Sequence, residues 1–420
     1  MTVAPPRPDA LDEPTRGVSR GWVAMFVLAN FGVFIPQQAP TTFLMPQQIA
    51  EIDPGGKVGA YAWVSVMGAV SGIVLAPLAG ALCDRTSGRF GRRRPWMVGG
   101  ALGCVGALLF SGAQHTVAGV AFGSFLLSVS IMVMGAGLNA VVPDQVPPAQ
   151  RGVVLGWAMV PLAGALILGG ALIGLVSGFA AGYLVMAAFP LTVLLFGFWV
   201  RDTPLPVGGR EPFSPRVFLR GYRISPKDDP DFVWALVSRF VMSLGYGLGT
   251  LYLPYFLDDV LHYERLFPGR SAEDGLLIVI GVNAVSTVAM VVLGGWLSDR
   301  LGRRRLPAFL GGVTMGVAAV PLALSPTWTM TLVSAVILGL GYGVYLAVDT
   351  ALVTEVLPAS ANRSKDLALG NLMGSLPYVL VPPIASFLIG SLGGYPALFL
   401  GSTAMSVGGA ALVWKVKGVR

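Results

Sequence analysis

Two charged residues, Arg239 and Asp349, stand inside segments that are otherwise apolar, and they are the residues of this sequence best placed to do chemistry. A charge inside an apolar segment long enough to cross a membrane costs free energy unless it is paired with an opposite charge or in contact with water. Such a charge therefore indicates a functional site. An arginine and an aspartate can form an ion pair. The aspartate can also carry a proton, because burial and a nearby arginine act on its charged form in opposite directions. A static structural ion pair is the alternative role.

Amide and tyrosine side chains inside the apolar segments form a second set of candidates. Amides donate and accept hydrogen bonds and aromatic faces stack on rings, so together they suit a neutral, hydroxyl-rich ligand. Each can instead make a hydrogen bond between helices, and we expect fewer than half to touch a ligand. The candidate substrate-binding residues are Asn30, Gln37, Gln38, Asn139, Tyr246, Tyr252, Asn283, Tyr342, Tyr345, Asn371 and Tyr378.

The sequence lacks the residue patterns of enzymes and metal sites. Its two histidines, His115 and His262, and its two cysteines, Cys83 and Cys104, have no metal-binding spacing. It contains no Ser/His or His-rich cluster of the kind that catalysis needs, and no G-x-x-x-x-G-K-[ST] loop for ATP. We therefore expect no catalytic activity, no metal and no cofactor.

The composition indicates a chain embedded in lipid. Of its 420 residues, 54% are hydrophobic and only 12% are charged, and the mean hydropathy is +0.72. A soluble domain carries about 25% charged residues because its exterior meets water, so this apolar excess has to face lipid. The net charge of +7 does not indicate a nucleic-acid partner, because the basic residues lie between apolar segments and form no single stripe.

Twelve segments are apolar and long enough to cross a bilayer, which takes about 20 residues. We expect no cleavable signal peptide before the first of them, because the first twenty residues are polar and Pro-rich. The twelve segments are 22–44, 60–83, 95–113, 117–140, 153–176, 179–200, 232–257, 275–298, 306–325, 328–351, 367–391 and 395–416.

Basic residues predict the orientation of these segments. If both termini are cytoplasmic, the tail, the cytoplasmic loops and the C-terminal end hold 24 of the 28 Lys and Arg residues, as the excess of positive charge on that side requires. The polar, Pro-rich stretch 201–230 has the composition of a linker. The expected organisation is a cytoplasmic tail at 1–20, a bundle at 21–200, a cytoplasmic linker at 201–230, a second bundle at 231–417 and a cytoplasmic end at 418–420.

The two halves of the sequence repeat one another at an offset of about 211–215 residues. The second and eighth segments are followed by GALCDRTSGRFGRRR (80–94) and GWLSDRLGRRR (295–305). The fourth and tenth are followed by PDQVPPAQRG (143–152) and TEVLPASANRS (354–364). Duplicated six-helix halves are typical of secondary transporters, whose solute site lies at the interface of the halves near the bilayer midplane.

These loops carry a family resemblance. The pattern G-x-x-x-D-R-x-G-R-R, present at 295–304 and in expanded form at 80–93, resembles the signature loop of the major facilitator superfamily. DRTSGRFGRRRPW (84–96) and AVDTALVTEVLP (347–358) are further similar to sucrose-type and related glycoside–cation symporters. The resemblance covers essentially the whole chain. It implies an all-α membrane protein with twelve transmembrane helices in two pseudo-symmetric six-helix bundles, the major facilitator fold.

The resemblance also implies a cytoplasmic gate. In the family the signature loop favours the outward-open state, and we expect this role for its Asp-Arg pairs, with network partners at the ends of the fourth and tenth helices. The alternative is that the arginines only anchor the topology and contact lipid phosphates. The expected gating residues are Gly80, Asp84, Arg85, Asp144, Arg151, Gly295, Asp299, Arg300, Glu355 and Arg363.

In the same family the first, fourth, seventh and tenth helices line the central cavity, which brings the two membrane charges together. Arg239 lies roughly 10 Å into the seventh segment, and Asp349 lies roughly 6 Å from the cytoplasmic end of the tenth. We therefore expect the two to form a pair that is made and broken during transport.

The sequence thus predicts a secondary active transporter in the cell membrane that moves a small polar solute such as a sugar or glycoside, with protons as the coupling ion. A monomer in the lipid bilayer, without a nucleic-acid partner, is expected. An exporter of drugs or natural products is the alternative, although helix five lacks the G-x-x-x-G-P-x-x-G-G pattern of such proton-driven exporters. A non-transporting membrane receptor is a further alternative.

Overall fold

The computed structural model describes residues 14–15, 17–86, 90–200, 202, 230–301, 304–355 and 373–416. Every regular element within these ranges is helical, which confirms the all-α fold expected from the sequence.

The helices follow the apolar segments of the sequence. The first half contains α1 (Arg20–Ala39), α2 (Met45–Ile52), α3 (Lys57–Arg85), α4 (Arg94–Gly112), α5 (Val117–Gln145), α6 (Pro148–Ile173), α7 (Phe179–Ala187) and α8 (Pro190–Trp199). The second half contains α9 (Pro230–Thr250), α10 (Leu253–Asp259), α11 (Tyr263–Leu266), α12 (Ala272–Leu301), α13 (Arg305–Leu324), α14 (Trp328–Glu355), α15 (Pro377–Ser391) and α16 (Gly394–Leu412).

Local sequence sets where the first helices begin and change pitch. The Ser19 side chain accepts a hydrogen bond from the Trp22 amide at the start of α1, and the Thr116 side chain does the same for α5, as N-cap residues do. Between α1 and α2 the chain forms a π-helical turn at Pro40–Leu44. Proline has no amide to donate, and a wider turn is one way in which a helix accommodates that loss.

Eleven segments within the described ranges are long and apolar enough to cross a membrane. They coincide with eleven of the twelve segments expected from the sequence. The twelfth, at 60–83, is covered by the 29-residue helix α3. The chain is therefore a multi-pass membrane protein.

Apolar side chains on the outer faces of the helices fit a lipid environment. Leu102 is 57% exposed, Phe122 53% and Val285 72%, and such exposure would be costly in water. Tryptophan is typical of the boundary between lipid and water, and three exposed tryptophans lie toward the ends of helices: Trp63, Trp199 and Trp414.

The chain divides into two compact units. One consists of Met1–Asp53 and Met67–Glu211, and the other of Pro54–Val66 and Pro212–Arg420. The division near residue 211 falls inside the stretch that the sequence predicts to be a linker, most of which lies outside the described residues. The assignment of 54–66 to the second unit differs from the sequence-based expectation, in which these residues belong to the first bundle.

Glycines allow helices within each unit to pack closely. In the first unit α4 packs on α5, and a Cβ atom on Gly100 would lie 2.4 Å from the backbone nitrogen of Met134. In the second unit α13 packs on α14, and a Cβ atom on Gly341 would lie 2.6 Å from the backbone nitrogen of Met315. Small residues at such crossings are what membrane helices use to approach one another.

Replacement of the neighbouring glycines Gly99 and Gly100 with alanine is expected to have opposite effects on stability. Gly100→Ala is expected to lower stability by about 1–3 kcal/mol, because its methyl group meets backbone that cannot move freely. Gly99→Ala has no neighbour within 4 Å and is expected to be neutral or to stabilise by up to about 1 kcal/mol, because alanine favours the helix. Thermal unfolding in detergent measures both, and equal effects would contradict the packing described for α4 and α5.

Candidate functional site

The two membrane charges meet in the second unit. Arg239 lies on α9 and Asp349 on α14, and the Arg239 Nε atom is 3.3 Å from an Asp349 carboxylate oxygen. The side chains are only 19% and 9% exposed, respectively. Tyr345, one helical turn before Asp349, donates a hydrogen bond to the same carboxylate. A Cβ atom on Gly374 would lie 3.1 Å from Arg239 Nε, so a side chain there would crowd the guanidinium.

Tyrosine rings extend this pair along both helices. Tyr246 of α9 and Tyr342 of α14 stack with their centroids 4.2 Å apart and their planes 17° apart. Tyr246 follows Arg239 by seven residues and Tyr342 precedes Asp349 by seven, and seven residues are about two turns of helix. Each helix therefore presents a charge and a ring on one face. The matching order shows that α9 and α14 run antiparallel at this site.

Two further tyrosines border the same cluster. Tyr345 lies with its ring centroid 6.2 Å from that of Tyr342. Tyr378 of α15 lies near Tyr246 and Tyr342. Of the residues that the sequence nominates, the structure thus brings together Arg239, Asp349, Tyr246, Tyr342, Tyr345 and Tyr378.

The other candidates of the second half lie elsewhere. The Tyr252 hydroxyl faces the carbonyl oxygens of Val58 and Pro382, each 3.3 Å away, in a different cluster. The Asn283 amide of α12 donates to the Ala335 carbonyl of α14 at 3.2 Å, which is a hydrogen bond between helices. Asn371 lies outside the described residues.

The candidates of the first half belong to the first unit. Asn30 is buried and its amide donates to the Phe26 carbonyl of its own helix at 2.8 Å, while Gln38 donates to the Leu162 carbonyl of α6 at 3.2 Å. Gln37 lies just before the π-helical turn, and its carbonyl accepts a hydrogen bond from the Thr41 hydroxyl. Asn139 on α5 is exposed. Gln38 thus makes the hydrogen bond between helices that the sequence left open as an alternative, whereas the Asn30 hydrogen bond stays within α1.

Asp144 is the centre of a charged cluster at the end of α5. It accepts from Arg92 at 2.5 Å and from Arg93 at 2.8 Å. Arg93 is buried and also donates to the Cys83 sulfur of α3 at 3.3 Å. These arginines therefore do more than anchor the topology, because they hold the ends of α3 and α5 to the loop between α3 and α4.

The remaining gating candidates are described in part. Arg151 binds the Val146 and Pro143 carbonyl oxygens at the end of α5, so it caps the helix that carries Asp144. Glu355 ends α14, and the backbone of the two Asp-Arg pairs and their glycines is helical, but the structure describes no side chain for these residues. Arg363 lies outside the described residues. The roles of Gly80, Asp84, Arg85, Gly295, Asp299, Arg300, Glu355 and Arg363 stay predictions.

Asp202 has a structural role that was not predicted from the sequence. Its carboxylate accepts hydrogen bonds from the backbone amides of Arg93 and Arg94 at 2.6 and 2.7 Å, at the start of α4, where the chain offers no capping side chain of its own. Gly91 makes this approach possible, because its φ is +96° and a Cβ atom there would lie 2.3 Å from the Asp202 carboxyl carbon. A helix N-terminus attracts a carboxylate, but nothing in the sequence joins residues about 108 positions apart.

Asp202→Ala is expected to lower stability by about 0.5–2 kcal/mol, which is the usual cost of losing an N-cap acceptor. Its exposed counterpart Glu51→Ala serves as the control and is expected to change stability by less than about 0.5 kcal/mol. Thermal unfolding of the two variants beside the unchanged protein measures the difference. A loss no larger for Asp202→Ala than for Glu51→Ala would show that the cap does not stabilise α4.

A family model matches nearly the whole chain. Residues 21–286 and 267–419 match the model described as Major Facilitator Superfamily.

Curated relatives match a smaller part of the chain. Monocarboxylate transporter 12 of Xenopus laevis is 29% identical over 41% of this chain and 36% of its own length. The quinolone resistance protein NorA of Staphylococcus aureus (strain MRSA252) is 26% identical over 36% of each protein. The chain therefore spans only about a third of the length of these relatives.

Solved structures match the fold over its full length. The nucleoside transporter NupG has a TM-score of 0.72 at 11% identity and covers 94% of this chain and 98% of its own. The peptide transporter POT has a TM-score of 0.75 at 13% identity and covers 97% and 96%. At these identities the likeness concerns the fold alone.

Proposed function

Because the chain belongs to the Major Facilitator Superfamily, we propose that it is a secondary active transporter that works by alternating access and couples the movement of a small polar solute to protons. The observation that carries this proposal is the ion pair between Arg239 and Asp349, held 3.3 Å apart in a membrane-spanning part of the chain. Charges in such places are costly and mark ion or solute paths.

The pair supports a proton-linked cycle in which Asp349 is the carrier. When Asp349 accepts a proton, its charge is lost and the attraction that holds Arg239 disappears. Arg239 keeps its charge at every physiological pH, so it then requires another partner. A solute that supplies this partner is favoured only while the proton is bound, which couples the two. A static ion pair is the competing role for the same geometry.

A sugar or glycoside is the first candidate solute. The stacked rings of Tyr246 and Tyr342, with the nearby hydroxyls of Tyr345 and Tyr378, resemble the combination of flat faces and hydrogen-bonding groups that binds hydroxyl-rich ligands. The short likeness of residues 84–96 and 347–358 to glycoside–cation symporters supports the same candidate.

A small carboxylate is the second candidate solute, and the charge of Arg239 favours it. Once Asp349 is protonated, a neutral solute leaves a buried cation without a counter-ion, whereas a carboxylate restores neutrality. The name of the relatives called monocarboxylate transporter 12 agrees with this candidate. The name quinolone resistance protein supports the alternative of an exporter.

We also propose that the chain works as a monomer in the cell membrane with both termini in the cytoplasm. The distribution of Lys and Arg residues supports this orientation. It places the cluster of Asp144, Arg92 and Arg93 on the cytoplasmic side, where it would serve as part of the expected gate.

The experiment that tests the proposal is counterflow and uptake in proteoliposomes containing the purified protein. The solutes are acid–alcohol pairs of similar size (gluconate with glucose, lactate with 1,2-propanediol, benzoate with benzyl alcohol), together with sucrose and a quinolone. We expect at least one solute to accumulate under an imposed pH gradient and to leave when a protonophore is added. Binding without flux would indicate a receptor, and accumulation that a protonophore does not change would exclude proton coupling.

A further inference from the structure

The guanidinium group of Arg239 has hydrogen-bonding capacity that its ion pair leaves unused. A guanidinium carries five N–H donors in a planar fork. The contact with Asp349 is made by Nε at 3.3 Å, and within the described part of the chain neither Nη atom makes a hydrogen bond. Because the side chain is only 19% exposed, water reaches it only in part. The fork can therefore bind a planar anion, since a carboxylate accepts two parallel N–H bonds.

Gly374 leaves space beside this fork. A Cβ atom on Gly374 would lie 3.1 Å from Nε and 3.5 Å from Nη2 of Arg239, and the three heavy atoms nearest to that position all belong to Arg239. Any side chain there would press on the guanidinium. Gly374 lies within the segment Met373–Ser391, which is long and apolar enough to cross a membrane, and glycine weakens a helix. Its use at this position is explained by the room that it gives an anion beside Arg239.

Tyr378 offers an aromatic surface about one helical turn further along. It follows Gly374 by four residues, which places the two on one face and roughly 6 Å apart along the helix axis. The rings of Tyr246 and Tyr342 stack on each other, whereas Tyr378 lies near both and is still 40% exposed. A second ring can stack on Tyr378 or meet it edge-on. One segment therefore places a space for an anion and a ring surface side by side.

The charges of the site favour an anion that carries a single charge. When Asp349 is protonated, Arg239 is one cation in a membrane-spanning part of the chain, and one carboxylate restores neutrality. A phosphate dianion would leave an excess negative charge, and a neutral solute would leave the cation without a counter-ion, both of which cost free energy there. When Asp349 is ionised, it competes with the solute for Arg239.

We propose that the solute is an aromatic monocarboxylate, whose carboxylate binds the fork of Arg239 beside Gly374 and whose ring lies against Tyr378. Gly374 and Tyr378 are then the residues that determine specificity. The separation of roughly 6 Å fits a ring joined to the carboxylate by a short chain, as in 3-phenylpropanoate. The inference rests on the proposed function of a proton-coupled transporter, and it names the class of solute that the same site binds.

Equilibrium dialysis of radiolabelled 3-phenylpropanoate against the purified full chain in detergent tests the class of solute. The competitors are 3-cyclohexylpropanoate, which keeps the charge without the aromatic ring, and 3-phenylpropan-1-ol, which keeps the ring without the charge. We expect 3-phenylpropanoate to bind about two- to tenfold more tightly than the saturated acid and at least about tenfold more tightly than the alcohol. Equal affinity of the acid and the alcohol, or of the two acids, would overturn the proposal.

Variants of Tyr378 test where the ring binds. Tyr378→Leu is expected to remove the preference for 3-phenylpropanoate over 3-cyclohexylpropanoate while it keeps binding of the saturated acid, so the ratio of the two affinities also shows that the variant is folded. Phe387→Leu is the matched control, because Phe387 is 58% exposed and lies nine residues further along α15, on the opposite face. A preference that persists in Tyr378→Leu, or that is lost equally in Phe387→Leu, would contradict the role of Tyr378.

Variants around the fork test where the carboxylate binds. Arg239→Lys keeps the charge but not the planar fork, and Gly374→Ala crowds the guanidinium, so each is expected to weaken binding of both acids at least about tenfold. Asp349→Asn removes the competing carboxylate and is expected to bind both acids at least about tenfold more tightly at neutral pH. Unchanged affinity in Arg239→Lys and Gly374→Ala, or weaker binding in Asp349→Asn, would show that the carboxylate does not bind at Arg239.

Counterflow of 3-phenylpropanoate in proteoliposomes separates this inference from the proposed function. We expect the aromatic acid to exchange across the membrane. Binding of 3-phenylpropanoate in dialysis without counterflow of any solute would contradict the proposed function and would support the assigned class of ligand. Counterflow of sucrose or another neutral solute by a protein that does not bind 3-phenylpropanoate would overturn the inference and leave the proposed function in place.

Discussion

Asp349→Asn is expected to abolish proton-driven accumulation of solute while leaving exchange down a concentration gradient. Asparagine keeps the shape and the hydrogen-bonding oxygen that Arg239 and Tyr345 contact, but it cannot accept and release a proton. For one proton per neutral solute, or for an electroneutral proton–carboxylate symport, a pH difference of about one unit drives about tenfold accumulation. In the variant the ratio of inside to outside concentration should fall to about one.

Uptake in proteoliposomes with and without the pH gradient measures this effect. Glu51→Gln, an exposed carboxylate at the end of α2, serves as the control and should retain full accumulation. If Asp349→Asn accumulates solute as well as the unchanged protein, then Asp349 is not the proton carrier and its pair with Arg239 is static.

The same pair gives a second large prediction, on stability. Arg239→Gln and Asp349→Asn each leave one charge with little access to water and without its partner, which costs about 3–5 kcal/mol for a fully buried pair. Because the Arg239 side chain is 19% exposed, values near the lower limit are expected. The double variant Arg239→Gln/Asp349→Asn removes both charges and should be more stable than at least one single variant.

Thermal unfolding of all four proteins in one detergent forms a double-mutant cycle. Because each single loss is about 3 kcal/mol and the double variant should lose no more than a single variant, a coupling energy of about 3 kcal/mol in favour of the pair is expected, at the upper end of the usual range. Additive losses would mean that the two side chains do not depend on each other for stability, in spite of their 3.3 Å separation.

The membrane spans were predictable because their signal is local. About 20 apolar residues in succession are enough to identify a crossing, and even the short break between Gly112 and Val117 appears where the polarity of the sequence rises. The assignment of 54–66 to the second unit was not predictable, because it depends on which residues a helix end contacts, and hydropathy carries no such information.

The two charged residues of the site were predictable from the sequence, whereas the arrangement of the tyrosine rings was predictable only in part. Arg239 and Asp349 stand out because a charge in lipid is rare, and family architecture then suggests that they meet. The stack of Tyr246 on Tyr342 depends on the rotation of α9 against α14. The spacing of seven residues from each ring to its charge was the available signal, since it places ring and charge on one face.

Contacts across long stretches of sequence account for what was missed. Lys57 and Asp259 form an ion pair although they are 202 residues apart in the sequence. Each residue taken alone is typical of a charged loop at a membrane surface. Tyr252 has the residue type and the depth of a ligand contact, yet its hydroxyl faces the Val58 carbonyl at the start of α3. Residue type and depth do not determine the direction of a side chain, which is set by the packing of α10 and α15 around it.

Infrared difference spectroscopy of the protein in lipid tests most directly whether Asp349 takes up a proton when solute binds. The experiment adds the solute found by counterflow and compares the unchanged protein with Asp349→Asn. We expect a band of a protonated carboxyl group to appear on solute addition in the unchanged protein and to be missing in the variant. A spectrum without such a band, or a band that persists in Asp349→Asn, would contradict the assignment of Asp349 as the carrier.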